Sequence, residues 1–366
     1  MVIKKGEGYM ATLFNKEVSK QELLKKIGHM KQIAGITPYE MSEGRAKGVK
    51  AFDVSNGGGL DFTVLESKCL DILNMKYKGI NLSFLSKPGL VAPEYFNPAG
   101  SEFLRYFQGG MLYTCGLSNI GVACEDAGEP YSIHGRISHT PAEKVSVVSQ
   151  WDNEDYIMKI SGEMREAAHF KENLVLKREI TTKLGSKAVQ IRDQVINEGQ
   201  EEQPVMLLYH FNFGYPLLDE NAKVVVPEHK IIPRTEIAKE NMADFEKISG
   251  PINGFIEHVF YIESALEDHD DTYAALINEE LGLGVYVKYN ARQLPILVEW
   301  KSMASGDYAL GLEPGNHQLE GRANERKKGT LKTLAPFDAM TFEIEIGVLE
   351  GTEDIERFIE RSIAKK

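Results

Sequence analysis

Three segments of this chain each hold a side chain able to move a proton, set among residues suited to holding a ligand. His210 lies in Leu207-Leu208-Tyr209-His210-Phe211-Asn212-Phe213-Gly214-Tyr215, the middle of an apolar, aromatic strand. A lone histidine there is by default a satisfied core residue. Its aromatic neighbours also suit a binding wall, since ligand sites are commonly apolar surfaces with a few placed polar groups. His134 lies in Tyr131-Ser132-Ile133-His134-Gly135-Arg136. Its plain reading is a turn histidine, but the glycine after it lets backbone or ligand approach closely. Glu313 lies in Tyr308-Ala309-Leu310-Gly311-Leu312-Glu313-Pro314-Gly315, an apolar strand ending in a charge and a Pro-Gly stop. Its plain reading is a strand-end surface charge, and a glutamate is rarely fully buried without a partner.

Other chemistries lack their signatures. The chain has no HExxH, no GxSxG, no P-loop and no GxGxxG opening a helix. Gly57-Gly58-Gly59 sits between two strands and reads as a hairpin turn. His134 and His139 are five apart, which suits neither the same face of a strand nor that of a helix, so no metal and no cofactor are expected. His29, His169, His229, His258 and His269 lie in polar or mixed stretches and read as surface or structural. Three cysteines, Cys69, Cys115 and Cys124, give no disulfide framework and no CxxC pattern, which suits a reducing compartment. A net charge of −12 argues against nucleic acid or an anionic membrane as partner, because both need a basic footprint. It also disfavours a strongly anionic substrate. The first residues, MVIKKGEGYMATLFNKE, lack the apolar core of a secretory signal, and no run approaches a membrane span. A cytoplasmic protein is expected.

Strands must position these residues. Ala51 to Val54 turns at the three glycines and returns as Leu60 to Val64. Ile180 to Lys183 turns at Leu184-Gly185-Ser186 into Val189, Ile191, Asp193 and Val195. Val285, Val287 and Tyr289 turn at Asn290-Ala291-Arg292 and return through Ile296, Val298 and Trp300. Phe342, Ile344, Ile346 and Val348 alternate with polar residues. Such runs with turn signals between them predict hairpins, and many strands without interleaved helices predict a sandwich or barrel. Two amphipathic helices are expected to cap the structure. One starts at the Ser19/Glu22 capping-box spacing and carries Leu23, Leu24, Ile27, Met30 and Ile33. The other starts near Thr352, carries Ile355, Phe358, Ile359 and Ile363, and ends at Lys365 and Lys366. The chain shows no linker or repeat, so residues 1–366 are expected to form one domain, with residues 1–40 as an N-terminal extension packed on it.

At these positions the sequence resembles the aldose 1-epimerase (galactose mutarotase) superfamily, most closely a bacterial aldose 1-epimerase-like branch of the DUF4432 type. The branch resemblance runs through Gly58-Gly59-Leu60-Asp61-Phe62-Thr63-Val64-Leu65, Leu70-Asp71-Ile72, Gly116-Leu117-Ser118-Asn119, Ile133-His134-Gly135-Arg136-Ile137, Asn212-Phe213-Gly214-Tyr215-Pro216-Leu217-Leu218 and Gly311-Leu312-Glu313-Pro314. Ile133-His134-Gly135-Arg136 is similar to the mutarotase Leu-His-Gly-Gly motif, Tyr209-His210-Phe211-Asn212-Phe213 to its Asn-His-x-Tyr-Phe strand, and Leu312-Glu313-Pro314 to its Leu-Glu-Pro. The resemblance implies an all-β fold, a galactose mutarotase-like β-supersandwich with a few short peripheral helices. It implies a small-molecule carbohydrate as partner and interconversion of the α and β anomers of a free sugar. It makes Glu313 the general base, His210 the general acid, and His134 a second imidazole on the ring oxygen or a hydroxyl. Reference pKa values of about 4.3 and 6.5 fit those roles.

Two departures bear on the ligand. Arg136 stands where the motif has its second glycine, and Lys68 stands where a sugar-binding arginine is expected. Lysine cannot make arginine's bidentate fork. Lys68, Asp71, Arg136, Asn212 and Lys301 are secondary substrate-binding candidates, Lys301 because a cation beside the Trp300 ring could face a ligand. A sugar-binding or sugar-sensing protein without catalysis, and another sugar isomerase or lyase, are the competing readings. The sequence does not set the oligomeric state.

Overall fold

The computed structural model describes residues 11–13, 16–227, 229–264 and 271–363. His269, Lys365, Lys366 and residues 1–10 therefore lie outside the described residues.

Period-two alternation is the organising feature. Asp155–Ala167 alternates partly exposed and buried residues along nearly its whole length, the pattern of a strand with one face on a core. It belongs to an eight-stranded antiparallel sheet, ordered Glu143–Asp152, Asp155–Ala167, Asn173–Lys183, Ala188–Asn197, Ala339–Glu350, Leu283–Asn290, Asp271–Asn278, Ala222–Val225. A six-stranded antiparallel sheet runs His229–Pro233, His258–Ser264, Ile296–Ala304, Asp307–Gly315, Met206–Phe213, Leu112–Leu117. A five-stranded sheet, from Gly35–Glu40 through Lys50–Ser55, Leu60–Leu65 and Asp71–Tyr77 to Ile80–Asn81, closes one side. Leu176 and Val287 of the first sheet, Tyr209 and Leu312 of the second and Phe62 of the third meet in one apolar core.

The Met206–Phe213 strand is buried along its whole length. Leu207, Tyr209, Phe211 and Phe213 enter that main core. Met206 and Leu208, on the opposite face, enter a second cluster with Phe103, Phe107, Tyr113 and Leu319. Loops and 3-10 turns, Gly100–Arg105 among them, cover this outer face and roof the site.

The two hairpins expected at Gly57-Gly58-Gly59 and Leu184-Gly185-Ser186 are present, with Val54 opposite Phe62 and Thr181 opposite Gln190. The expected hairpin through Asn290-Ala291-Arg292 is not. Leu283–Asn290 pairs within the eight-stranded sheet, and Ile296–Ala304 pairs within the six-stranded one. Buried Ala291 and Leu294 anchor the connection as it crosses between sheets. A turn signal fixes where a strand ends but not which partner the next strand takes.

The first helix is also shorter than expected. The Ser19/Glu22 capping box forms, but the α-helix is only Lys20–Leu24. After Gly28, the His29 side chain accepts the Lys31 N–H and starts a separate 3-10 turn, Met30–Gln32. Ala11, Leu13 and Leu23 nevertheless join the main core, so this part of the N-terminal region packs on the sheets. The C-terminal helix, Gly351–Ile363, lays Ile355 over the outer face of the eight-stranded sheet against Ala275, Ile277 and Leu349. Among the described residues no helix is long and apolar enough to cross a membrane.

Candidate functional site

Antiparallel register brings the first pair together. Leu208 lies opposite Gly315 and Phe211 opposite Leu312, which puts His210 and Glu313 side by side on the outer face of the six-stranded sheet. His210 Nε2 lies 3.0 Å from Glu313 Oε1, without the alignment of a hydrogen bond. Gly311 makes room for the carboxylate. A Cβ there would sit 2.3 Å from Glu313 Oε1.

His134 arrives from a loop. Gly116 and Gly135 form a parallel bridge, and Gly116 N–H donates to the His134 carbonyl at 3.0 Å. A Cβ on Gly135 would lie 2.2 Å from the Gly116 oxygen, so only glycine allows this approach. His134 itself has φ of +57°, a sparsely populated conformation for a non-glycine residue and one that clusters at functional sites. Its ring centroid is 5.9 Å from that of His210. Gly121 N–H donates to His134 Nδ1 at 3.4 Å, which leaves the neutral ring's proton on Nε2 as a donor.

The three residues line a cavity of about 490 Å³, within the usual size of a small-molecule site. Phe103, Phe107 and Trp300 wall it, with ring centroids 5.1 Å from His134, 5.2 Å from His210 and 5.5 Å from His210 respectively. Arg234 and Glu257 also line it. Arg234 Nε donates to Glu320 at 2.8 Å, and Trp300 Nε1 donates to Glu257 at 2.7 Å.

Burial sets the protonation of this site. It pushes the Glu313 carboxyl well above the usual carboxylate range, with Glu257 adding to the shift and Arg234 opposing it. It pushes the His210 imidazole well below its ordinary value, with His134 adding. His134 is lowered to about 4, again chiefly by burial and then by Arg234. Both shifts favour the uncharged forms, a protonated Glu313 and a neutral His210. A charged carboxylate and a charged imidazolium both need solvation that this pocket does not supply.

Of the secondary candidates, none lines the cavity. Asn212 lies beneath His210. Its Nδ2 donates to the Gly110 and His210 carbonyls at 3.0 and 2.8 Å, which leaves Oδ1 facing His210 without an aligned hydrogen bond. Lys68 is fully buried, with Nζ donating to the Val91 carbonyl at 3.0 Å and Gln108 Oε1 at 2.8 Å and lying 3.3 Å from His139 Nε2. Burial lowers its amine to about 7. Asp71 is in the core, on Arg178 at 2.9 Å and on Thr114. Lys301 does not share a face with Trp300. Neighbouring residues of a strand point oppositely, and its ammonium is spent on the carbonyls of Asp244, Phe245 and Lys247 and on Glu299. Arg136 is exposed, its guanidinium 5.9 Å from the Phe96 ring. Sequence reasoning missed Arg234 and Glu257, which lie in polar stretches with no local signal. It could have found Gly311 by parity, since residues two apart on a strand share a face. Among the described residues no group of three His, Cys, Asp or Glu side chains is arranged to hold a metal ion.

Solved structures share this fold. A "putative aldose 1-epimerase" from Klebsiella pneumoniae superposes with a TM-score of 0.86 at 24% identity, over 98% of this chain and 95% of that one. A galactose mutarotase-like protein from Clostridium acetobutylicum gives 0.61 at 16% identity, over 88% of this chain and 100% of that one. A galactose 1-epimerase from Lactobacillus acidophilus gives 0.54 at 14% identity, over 87% and 100%. No curated protein matches the chain. The family described as "Domain of unknown function (DUF4432)" matches residues 46–348, and the chain belongs to that family.

Proposed function

We propose that this protein is an aldose 1-epimerase-like enzyme that interconverts the anomers of a free sugar. The observation that carries the reading is the His210–Glu313 pair, 3.0 Å apart and sharing a cavity with His134. The ring oxygen and the anomeric hydroxyl of a sugar share one carbon, so two groups this close can address both. Protonated Glu313 gives its proton to the ring oxygen while His210 Nε2 takes the proton of the anomeric hydroxyl. The ring C–O bond breaks and an open-chain aldehyde forms, leaving a carboxylate and an imidazolium. Rotation about the first C–C bond exposes the other carbonyl face. Reclosure returns both protons, so the step balances within the pair. His134 Nε2–H is a neutral donor for an adjacent sugar oxygen. General acid–base groups each contribute about 10²–10⁴-fold, and holding the sugar between them adds positioning.

Polarimetry, or NMR exchange between anomers, on freshly dissolved sugars tests the reading. The expected result is faster exchange for at least one sugar, lost in Glu313→Gln. A folded Glu313→Gln variant with full activity would remove Glu313 from the mechanism. Binding by calorimetry without faster exchange of any sugar would favour a sugar-sensing protein instead.

A further inference from the structure

The cavity is lined unevenly, and the asymmetry bears on the class of sugar, given anomerisation at His210 and Glu313. The polar flank is the side of Arg234, Glu257 and Trp300, contributed around the His229–Pro233, His258–Ser264 and Ile296–Ala304 strands. The opposite flank lies around His134, where the chain abuts the Leu112–Leu117 strand at the other edge of the sheet. Its wall is Phe103, Leu104, Val122, Ala123, Ile133 and Leu319. None of these six side chains carries a hydrogen-bonding atom; His134 and Ser101, the latter exposed at the rim, are the lining residues of this flank that do. Two backbone N–H groups there are engaged as well, Val122 N–H on the Leu319 carbonyl and His134 N–H on the Gly121 carbonyl, both at 3.0 Å. Leu104 is 68% exposed and Val122 39% exposed, so this lip presents bare apolar surface to solvent. A contiguous exposed apolar patch beside polar groups marks a binding surface. Away from Ser101 and the His134 Nε2–H, a hydroxyl seated on it would exchange water for no partner, whereas a methyl group would gain contact.

Charge narrows the class further. Arg234 is the only cation among the cavity's described lining residues, and Glu320 already holds it. Glu257 and Glu313 line the same space. A carboxylated, sulfated or phosphorylated sugar would meet carboxyl groups and one occupied guanidinium.

We infer that the substrate is an uncharged deoxy sugar. Its hydroxyl-bearing edge faces the Arg234–Glu257 flank, and its deoxygenated terminal carbon packs on the Phe103–Leu104–Val122–Ile133 flank.

Matched pairs test this on the full chain. Anomer exchange by NMR and affinity by calorimetry are compared for D-fucose and D-galactose, L-fucose and L-galactose, L-rhamnose and L-mannose, and 6-deoxy-D-glucose and D-glucose, with D-galacturonate added. The expected result is a kcat/KM, or an affinity, about 10–100-fold higher for one deoxy sugar than for its hydroxylated partner, the range an apolar pocket can supply. Galacturonate should be neither bound nor accelerated. Leu104→Asn, at an exposed position, should narrow the preference toward unity. Equal or better handling of the hydroxylated partner in every pair, or preference for the uronate, would overturn the inference while leaving anomerisation standing. A deoxy preference in binding without any exchange would retain the class and remove anomerisation. Absence of both binding and exchange would overturn both.

Discussion

Tyr209 and His210 are neighbours on one strand and face opposite sides of it, and the two sides treat buried charge in opposite ways. Tyr209 points into the main core, where its hydroxyl donates to Asp193 at 2.8 Å. Arg178 grips Asp193 through two nitrogens at 2.9 and 2.7 Å and Asp71 through a third at 2.9 Å. Thr114 adds its backbone N–H and hydroxyl to the two Asp71 oxygens. Every one of these charges has matched partners, and the side chains of Arg178, Asp71 and Asp193 have no solvent exposure. His210 points the other way, toward a carboxyl at ion-pair distance but out of hydrogen-bond alignment. His210 Nδ1, Glu313 Oε1 and Asn212 Oδ1 are buried without well-aligned partners. A satisfied network locks sheets together and has no capacity left for a ligand. An unsatisfied pair beside a cavity has hydrogen-bonding capacity to offer, and it is the side that can do chemistry.

That contrast can be broken by substitution on either side. Glu313→Gln should lower anomer exchange by about 10²–10⁴-fold with unchanged denaturant unfolding. A large loss of stability there would make Glu313 part of the scaffold. Arg178→Leu should do the reverse. It leaves Asp71 and Asp193 buried and unpaired, which costs about 3–5 kcal/mol. Urea unfolding measures that cost, and a variant as stable as the parent would show that the network is not structural glue. Gly311→Ala touches no ligand, yet its Cβ must push the Glu313 carboxylate aside. A misplacement near 1 Å can cost about 10²-fold, so kcat should fall with stability nearly retained. Parental kcat in this variant would show that the carboxylate's seat on Gly311 is unimportant.

The smallest effects sharpen the account of protonation. With Glu313 held above and His210 below their ordinary values, kcat/KM should owe no acid limb to ionisation of the Glu313 carboxyl. It should instead fall as pH drops through about 4, where His134 gains a proton and its Nδ1 can no longer accept the Gly121 N–H. Stability follows the same sign. The unfolded chain binds that proton near 6.5 and the folded chain only near 4, so His134 makes stability decline as pH falls across that window. Asn212→Leu removes the acceptor facing His210 and should lower kcat about 3–10-fold, the worth of one hydrogen bond, with the His210 tautomer ratio shifted in ¹⁵N NMR. An unshifted ratio would give Asn212 a purely structural part.

Parity along strands was readable in advance, and where it was applied it held. Alternation predicted an all-β chain, and the structure is one. The same rule separates Trp300 from Lys301, which were expected to face a ligand together, and it pairs Gly311 with Glu313. Lys68, Asp71 and Asn212 looked like ligand contacts because they are polar residues in motif-bearing segments. Only the fold shows that each is buried and already bonded.

The sequence by itself determined the strand periodicity, the two flanking helices in outline, and which residue types stand at positions 134, 210 and 313, because side-chain direction and local turn chemistry depend on near neighbours. The tertiary structure decided which strands pair, as the crossing at Asn290-Ala291-Arg292 shows. It also decided that His134, His210 and Glu313 converge, and that Arg234 and Glu257 join them. Those outcomes depend on register between strands far apart in the chain and on the water that packing excludes, and neither is a local property of the sequence.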